Sequence, residues 1–222
     1  MTNYEVRVAR SAGNTSYEVA LGPHMTVLDA LFRIQAAQDS SLAFRCACRV
    51  GMCGTCAMSI NGVPRLACKT RVSALDARVI AVAPLPNFPV VQDLVVSLEP
   101  FFAQWKKIKP ALRGEARDTL SIIPPDAKIS RKRDCITCGI CYAACGVKAT
   151  HADYLGPAAI NKAFLRIHDQ RDTASRERLK IVNDEWSGVW RCHTQYNCTS
   201  LCPKKIDLTA TIGRLKRTML FA

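Results

Sequence analysis

Eleven of the twelve cysteines stand at spacings that are typical of thiolate ligands to iron–sulfur clusters. The most regular run lies in the second half of the chain and reads Cys-x2-Cys-x2-Cys-x3-Cys, from Cys135 to Cys145. In two-cluster ferredoxins, three thiolates of such a run bind one cluster and the fourth binds the other. The run therefore predicts transfer of single electrons, and the sequence shows no nucleophile or acid–base pair that would indicate other chemistry.

A second run further along the chain lacks one cysteine. Five residues separate Cys192 from Cys198, as between the first and third cysteines of the first run, and three more lead to Cys202. Gln195 stands at the middle position. If the last cysteine of each run binds the cluster of the other run, the chain has a four-thiolate [4Fe–4S] cluster and a three-thiolate [3Fe–4S] cluster. The second cluster lacks the iron that a cysteine at 195 would bind. The predicted [4Fe–4S] ligands are Cys135, Cys138, Cys141 and Cys202, and the predicted [3Fe–4S] ligands are Cys145, Cys192 and Cys198.

A third group of cysteines lies in the first half of the chain. Its spacing, x4 and then x2 with a fourth cysteine further on, is the plant-type [2Fe–2S] pattern. The predicted ligands are Cys48, Cys53, Cys56 and Cys68. Gly51 and Gly54 lie within this loop, where glycine permits the backbone angles that point N–H groups at sulfur. Cys46 falls outside the pattern, because using it would lengthen x4 to x6, so we expect that it is not a ligand.

The composition excludes several classes of protein. The 222 residues begin without an apolar stretch behind the first charges, so we expect reduced, metal-bound cysteines rather than the disulfides of a small secreted protein. No uninterrupted apolar run approaches the roughly 20 residues that span a bilayer. We therefore expect that the chain itself does not cross a membrane.

The formal net charge of the chain is +13. Three oxidised clusters with eleven thiolates would each carry about −2, which would lower the net charge to roughly +7. The basic residues are dispersed among the cysteines and no nucleic-acid-binding motif is present, so we expect no nucleic-acid partner. The remaining positive charge favours an acidic protein partner or anionic lipid headgroups.

The first cysteine group is predicted to lie in a small β-grasp ferredoxin domain. A capping box of Thr26 and Asp29 predicts the start of a helix that ends near Asp39, and Asn61-Gly62 predicts a type I′ turn between two short strands. Strands around a single helix, with a cysteine loop between the helix and the second hairpin, are typical of that fold. The predicted strands span residues 4–9, 16–21, 57–60, 63–66 and 78–82.

Helices are predicted to carry the remaining cysteines. A stiff segment from Pro84 to Pro89 separates the two halves, and a polar loop is expected over residues 113–133. The predicted helices span residues 92–107, interrupted by Pro100, and residues 156–167, 173–182 and 208–219. The sequence therefore predicts an α+β protein, with a β-grasp [2Fe–2S] domain over residues 1–98 and an all-α ferredoxin-like domain with two cubane-type clusters over residues 99–222.

With three clusters in this order, the chain resembles the iron–sulfur subunit of the succinate dehydrogenase/fumarate reductase family over nearly its whole length. Beyond the cysteines, the similar segments are Arg49-Val-Gly-Met-Cys53-Gly, Asn61-Gly-Val-Pro-Arg-Leu-Ala-Cys68, Asp93-Leu-Val, Gly156-Pro-Ala-Ala, His168-Asp-Gln-Arg-Asp172, and Cys192-His193 through Cys202-Pro203-Lys204. A set of motifs in this combination is highly specific to that family.

The resemblance implies that the chain works within a larger enzyme, a succinate dehydrogenase or fumarate reductase of the kind that serves the tricarboxylic acid cycle. A flavoprotein subunit with covalent FAD would interconvert succinate and fumarate, while this subunit passes single electrons between flavin and quinone. The implied order is FAD, [2Fe–2S], [4Fe–4S], [3Fe–4S] and quinone, in either direction. The resemblance also implies an integral membrane anchor subunit, sometimes with haem, which would hold this chain at the cytoplasmic face of the inner membrane and bind quinone at their junction.

Two positions bear on that quinone site. His193 stands where the family uses a histidine near quinone or haem, so the resemblance implies the same place for it. Many members have Cys-Pro-Ser followed by tryptophans where this chain reads Cys145-Gly-Val-Lys-Ala-Thr. The form seen here is similar to that of some menaquinone-linked fumarate reductases.

Two other functions fit the cysteine pattern. The first is an electron-transfer subunit of a different flavoprotein oxidoreductase, which Gly146 and the absent tryptophans keep open. The second is a free multi-cluster ferredoxin that serves several partners. A free carrier would be a monomer with an acidic docking face, whereas this chain is basic and longer than such a carrier needs to be.

Overall fold

The computed structural model describes residues 1–114, 129 and 131–221. They form two compact units. The first contains Met1–Leu98 and Ile136–Ala144, and the second contains the described parts of Glu99–Cys135 and Cys145–Ala222. The domain limits 1–98 and 99–222 stay a prediction. Most of the polar loop expected over residues 113–133 lies outside the described residues.

The first unit is built on a five-stranded sheet and one long helix. The strands are β1 (Thr2–Arg10), β2 (Gly13–Leu21), β3 (Ala57–Ile60), β4 (Val63–Leu66) and β5 (Val79–Ala83), and the helix is α1 (Val27–Ala37). Their order in the sheet is β2-β1-β5-β3-β4, with β1 and β5 parallel and the other neighbours antiparallel. This arrangement confirms the sheet-rich ferredoxin fold predicted for the first half of the chain.

The local sequence explains these elements. The hydroxyl of Thr26 accepts a hydrogen bond from the Asp29 N–H at 3.3 Å, and the Asp29 carboxylate accepts one from the Thr26 N–H at 2.8 Å, which is the predicted capping box at the start of α1. Asn61 and Gly62 join β3 to β4 with φ angles of 49° and 75°. Two positive φ angles are the mark of the predicted type I′ turn.

The helix predicted over residues 92–107 is wrong in its first part. Two short antiparallel strands, β6 (Val90–Gln92) and β7 (Val95–Val96), come before the helix α2 (Glu99–Lys107). Asp93 has a φ of 46°, and its carboxylate accepts hydrogen bonds from the N–H groups of Ser11 and Ala43, each at 3.0 Å. These bonds hold a turn at Asp93. Pro100 does not interrupt the helix but stands in its first turn, where the missing N–H costs nothing.

The second unit is helical, without a strand in its described residues. The remaining helices of the chain are α3 (Ile140–Ala143), which belongs to the first unit, and α4 (Gly146–Thr150), α5 (Gly156–Ile167), α6 (Ser175–Val182), α7 (Asn197–Ser200) and α8 (Leu208–Leu220). Helix α5 packs against α6 and α8 and buries Ile160 and Phe164 in a core that includes Leu215 of α8. The helices predicted near residues 156, 173 and 208 are confirmed. Within the described ranges, every helix is too short or too polar to cross a bilayer.

Candidate iron–sulfur centres

All twelve cysteines lie in the described part of the chain and are thiols rather than disulfides. The four predicted [2Fe–2S] ligands belong to the first unit. Cys48 and Cys53 are half-buried in the loop between α1 and β3, and Cys56 is buried at the end of that loop. Cys68 is buried in a short 3₁₀ helix that follows β4. The hairpin β3–β4 therefore carries the last two cysteines at its two ends.

The cysteine loop points backbone N–H groups at its sulfurs. Cys48 Sγ accepts from the N–H groups of Met52 at 3.2 Å and Cys53 at 3.3 Å, and Cys53 Sγ accepts from the Thr55 N–H at 3.5 Å. The N–H of Val50, followed by those of Cys53 and Met52, lowers the pKa of Cys48 to about 6. The loop thus stabilises the thiolate, which is the form that binds iron.

Cys56 and Cys68 form a second, more buried pair. Burial is the main cause that raises the pKa of Cys56 to about 12, and the neighbouring thiols of Cys68 and Cys53 add to it. Buried thiolates side by side need a nearby positive charge, which bound iron would supply. Because Cys48 likewise contacts Cys53, the four thiols form two pairs. This donor set fits a two-iron cluster.

The two half-buried cysteines at the start of the loop give a direct test of ligand choice. Cys46→Ser should keep the [2Fe–2S] spectrum, because Cys46 lies outside the pattern, whereas Cys48→Ser should lose or alter it. Visible absorption, circular dichroism and EPR of the reduced protein would measure this. The two variants differ only in the position that carries serine, so each is the control for the other. Loss of the spectrum in Cys46→Ser but not in Cys48→Ser would show that Cys46 is the first ligand.

The three predicted [3Fe–4S] ligands line one pocket in the second unit. Cys145 directly precedes α4, Cys192 follows a short 3₁₀ helix and Cys198 lies in α7. Burial raises the pKa of Cys145 and of Cys198. Three thiols from separate elements therefore share one concave site, as ligation by a single cluster requires.

Polar groups surround these thiols. Cys192 Sγ accepts a hydrogen bond from the Thr194 N–H at 3.4 Å, and Cys198 Sγ lies 3.6 Å from the hydroxyl oxygen of Thr209 on α8. The fully buried Tyr154 also lines the pocket. Its hydroxyl has no hydrogen-bond partner among the described residues, and a buried hydroxyl in that state is costly unless a ligand supplies an acceptor. Sulfur of a bound cluster would be such an acceptor, so the residues fit the predicted group.

Gln195 and His193 line the same pocket and are exposed. Gln195 stands at the position of the missing cysteine and lies against Gly146. A Cβ added at Gly146 would come within 2.8 Å of Gln195 Oε1. The glycine that follows Cys145 therefore leaves room for the Gln195 side chain.

The four predicted [4Fe–4S] ligands divide between the two units. Cys138 and Cys141 belong to the first unit, with Cys141 buried in α3. Cys135 and Cys202 belong to the second, where Cys202 Sγ accepts a hydrogen bond from the Ile206 N–H at 3.4 Å.

Packing and hydrogen bonds within the first unit fix the segment Ile136–Ala144, which carries Cys138 and Cys141. The rings of Phe88 and Tyr142 stack with their centroids 4.7 Å apart, and the Asn87 side-chain amide donates to the Ala143 carbonyl at 2.9 Å. Gly54 of the [2Fe–2S] loop lies directly against Cys138, since a Cβ at Gly54 would meet Cys138 Cβ at 2.6 Å. Two predicted cluster-binding segments are therefore in close contact within this unit.

Sequence reasoning missed two polar neighbours of the second-unit pocket, Tyr154 and Thr209. Neither belongs to a cysteine run, and both reach the pocket from elements that only the tertiary fold brings together. Across the described residues, no three His, Cys, Asp or Glu side chains surround the position of a single ion. Cluster ligation instead spreads the thiolates over several irons.

Two family models match the chain. One is described as a 2Fe-2S iron-sulfur cluster binding domain and matches residues 2–103, and the other is described as a 4Fe-4S dicluster domain and matches residues 132–206. They agree with the two kinds of site found in the structure. The chain therefore contains a [2Fe–2S] domain followed by a dicluster domain.

Solved structures extend this likeness to the whole chain. A chain of the Mycobacterium smegmatis Sdh1 complex in the apo form is 30% identical with a TM-score of 0.84, and the match covers 99% of this chain and 96% of that one. A hypothetical protein from Helicobacter pylori is 14% identical with a TM-score of 0.60, covers 100% of this chain and 40% of that one, and shows the fold alone. Domain content and whole-length similarity together show that the chain belongs to the family of iron–sulfur subunits of succinate dehydrogenase and fumarate reductase.

Proposed function

We propose that the chain is the iron–sulfur electron-transfer subunit of a membrane-bound succinate:quinone oxidoreductase, and that it relays electrons between the FAD of a flavoprotein subunit and quinone at a membrane anchor subunit. The observation that carries this proposal is the likeness of the whole chain, at 30% identity, to a chain of an Sdh1 complex. Two cluster-binding domains in one chain supply the carriers that such a relay needs. The substrate chemistry would lie on the flavoprotein.

The proposed relay has three clusters, which when bound would take up and release single electrons. The [2Fe–2S] ligands would be the four cysteines of the first group, and the [3Fe–4S] ligands would be the three cysteines of the pocket. The proposed [4Fe–4S] ligands are Cys135, Cys138, Cys141 and Cys202. The division into domains over residues 1–98 and 99–222 would then separate the [2Fe–2S] carrier from the other two.

The chain's own residues would set the potentials of these centres. Backbone N–H groups donate to Cys48 and Cys192, and hydrogen bonds to sulfur favour the reduced cluster. The burial of Cys56 and Cys198 would instead disfavour the reduced clusters, because a low-dielectric site disfavours added negative charge. His193, exposed beside the [3Fe–4S] pocket, is proposed to lie near quinone or haem.

Purification of the chain from its native membrane tests the proposal. We expect a flavoprotein with covalent FAD and an integral anchor subunit to accompany the chain, and the complex to catalyse succinate-driven quinone reduction or quinol-driven fumarate reduction. Within that complex, the chain would be a peripheral subunit at the cytoplasmic face of the inner membrane. A complex with a flavoprotein but without either activity would instead support a different flavoprotein oxidoreductase, the alternative that Gly146 and the absent tryptophans keep open. A chain that purifies alone would support a free ferredoxin.

A further inference from the structure

Tyr154 carries a polar group whose role the cysteine pattern does not explain. Its side chain is 0% exposed, and its hydroxyl has no hydrogen-bond partner within the part of the chain that the structure describes. A phenylalanine would fill the same space without leaving a buried donor unsatisfied. Because buried hydroxyls in proteins generally have a hydrogen-bond partner, a ligand of the pocket is expected to supply the acceptor.

The acceptor must lie in the second-unit pocket. Tyr154 lines that pocket together with Cys145, Cys192 and Cys198. The thiolates of these three cysteines act electrostatically on the Tyr154 hydroxyl, with Cys192 the strongest of them. A buried phenol O–H enclosed with three sulfurs has sulfur as its available acceptor.

The backbone of Tyr154 is firmly placed. The buried ammonium of Lys148 donates to the Ala152 carbonyl at 2.6 Å and to the Tyr154 carbonyl at 2.8 Å. Tyr154 therefore sits in a loop that is fixed on one side by Lys148 and continues on the other into α5. A donor held in this way needs little rearrangement to act on the pocket.

We propose that the Tyr154 hydroxyl donates a hydrogen bond to a sulfur of the [3Fe–4S] centre, either the Cys192 thiolate or an inorganic sulfide, and that this bond raises the reduction potential of the centre. The inference rests on the proposed assignment of the pocket to that cluster. Uptake of one electron makes the cluster more negative, so a donor to sulfur stabilises the reduced form more than the oxidised form.

Other polar side chains of the pocket are weaker candidates for this role. The Thr209 hydroxyl accepts a hydrogen bond from the Thr199 hydroxyl at 2.9 Å and already pairs with Cys198 Sγ at 3.6 Å, so its own O–H needs no further acceptor. Tyr196 and Gln195 are exposed, so solvent screens their dipoles. Tyr154 alone combines complete burial with an unsatisfied donor among the described residues that line the pocket.

The test is Tyr154→Phe in the intact complex, with Tyr196→Phe as a matched control because Tyr196 lines the same pocket but is 59% exposed. The reduction potential of the [3Fe–4S] centre is measured by titration followed by EPR of the oxidised cluster. Pulsed EPR in deuterated water measures exchangeable deuterons near it. We expect Tyr154→Phe to lower the equilibrium constant for reduction by roughly tenfold, as loss of one hydrogen bond to a charged group implies, which is about 59 mV for one electron.

The deuteron signal separates a hydrogen bond from a merely structural effect. Tyr154→Phe should remove one strong exchangeable deuteron coupling, and Tyr196→Phe should leave both the coupling and the potential unchanged. An unchanged coupling and potential in Tyr154→Phe would overturn the inference while leaving the relay intact. If the unsubstituted protein gave no [3Fe–4S] signal at all, the cluster assignment itself would fall, and the hydrogen bond with it.

Discussion

Gln195→Cys should convert the proposed [3Fe–4S] centre into a [4Fe–4S] centre. In the proposed cluster, the three thiolates of the pocket would define three corners of a cube, and position 195 aligns with the predicted missing middle cysteine of the run. The Gln195 side chain already lines the pocket, so a thiolate there could hold a fourth iron. The added thiolate brings negative charge, and the potential of the centre should therefore fall.

A lower potential at this centre should slow electron delivery to quinone. Each fall of about 59 mV lowers the equilibrium constant for uptake of one electron tenfold, so we expect the quinone-coupled rate to drop by roughly tenfold or more. The dye-linked activity of the flavoprotein should stay nearly intact. EPR of the purified variant and the ratio of the two activities measure the effect.

Gln195→Ser is the matched control for this conversion. Serine is close to cysteine in size but provides no thiolate, so the variant should keep the [3Fe–4S] signal and most of the quinone rate. An unchanged [3Fe–4S] signal in Gln195→Cys would count against the alignment of position 195 with the missing cysteine. A normal quinone rate despite conversion would count against the proposed electron order.

Gly54→Ala should strongly destabilise the first unit and the iron–sulfur binding that depends on it. Gly54 has a φ of +75°, where an alanine costs roughly 1–2 kcal/mol. An added Cβ would also come within 2.9 Å of the Cys138 Cα, so the backbone itself must move, at a further cost of about 1–3 kcal/mol. We expect a clear loss of thermal stability and of iron bound per chain.

Gly51→Ala separates the backbone angle from the contact with Cys138. Gly51 lies in the same loop with a φ of +77°, but its added Cβ would meet only the flexible side chain of Lys69, at 2.8 Å. We therefore expect the free energy of unfolding of this variant to fall only by roughly the cost of the positive φ angle. The variant should keep more iron than Gly54→Ala does. Equal losses in thermal melting and iron analysis would show that the close contact with Cys138 has no energetic importance.

The sequence predicted the elements that depend on local chemistry. The capping box at Thr26, the Asn61-Gly62 turn and the Gly156-Pro157 helix start each work through neighbouring residues, and the structure confirms all three. The cysteine runs indicated the kind of cofactor because cluster geometry restricts their spacing. Local patterns were therefore sufficient for the fold class, while the assignment of the individual ligands stays a prediction.

Features that depend on distant contacts could not be predicted in this way. The apolar residues near Asp93 suggested a helix, but hydrogen bonds from Ser11 and Ala43, far away in the sequence, hold a turn there. The position of Tyr154 beside the pocket thiols likewise follows from tertiary packing. Tertiary contacts of this kind override local propensity.

The most direct test of the account is anaerobic iron analysis of the purified protein, combined with EPR of the same sample. One [2Fe–2S], one [4Fe–4S] and one [3Fe–4S] cluster predict about nine irons per chain and the signal of an oxidised [3Fe–4S] centre before any reductant is added. An iron content near four per chain, or the absence of that signal, would contradict the three-cluster relay.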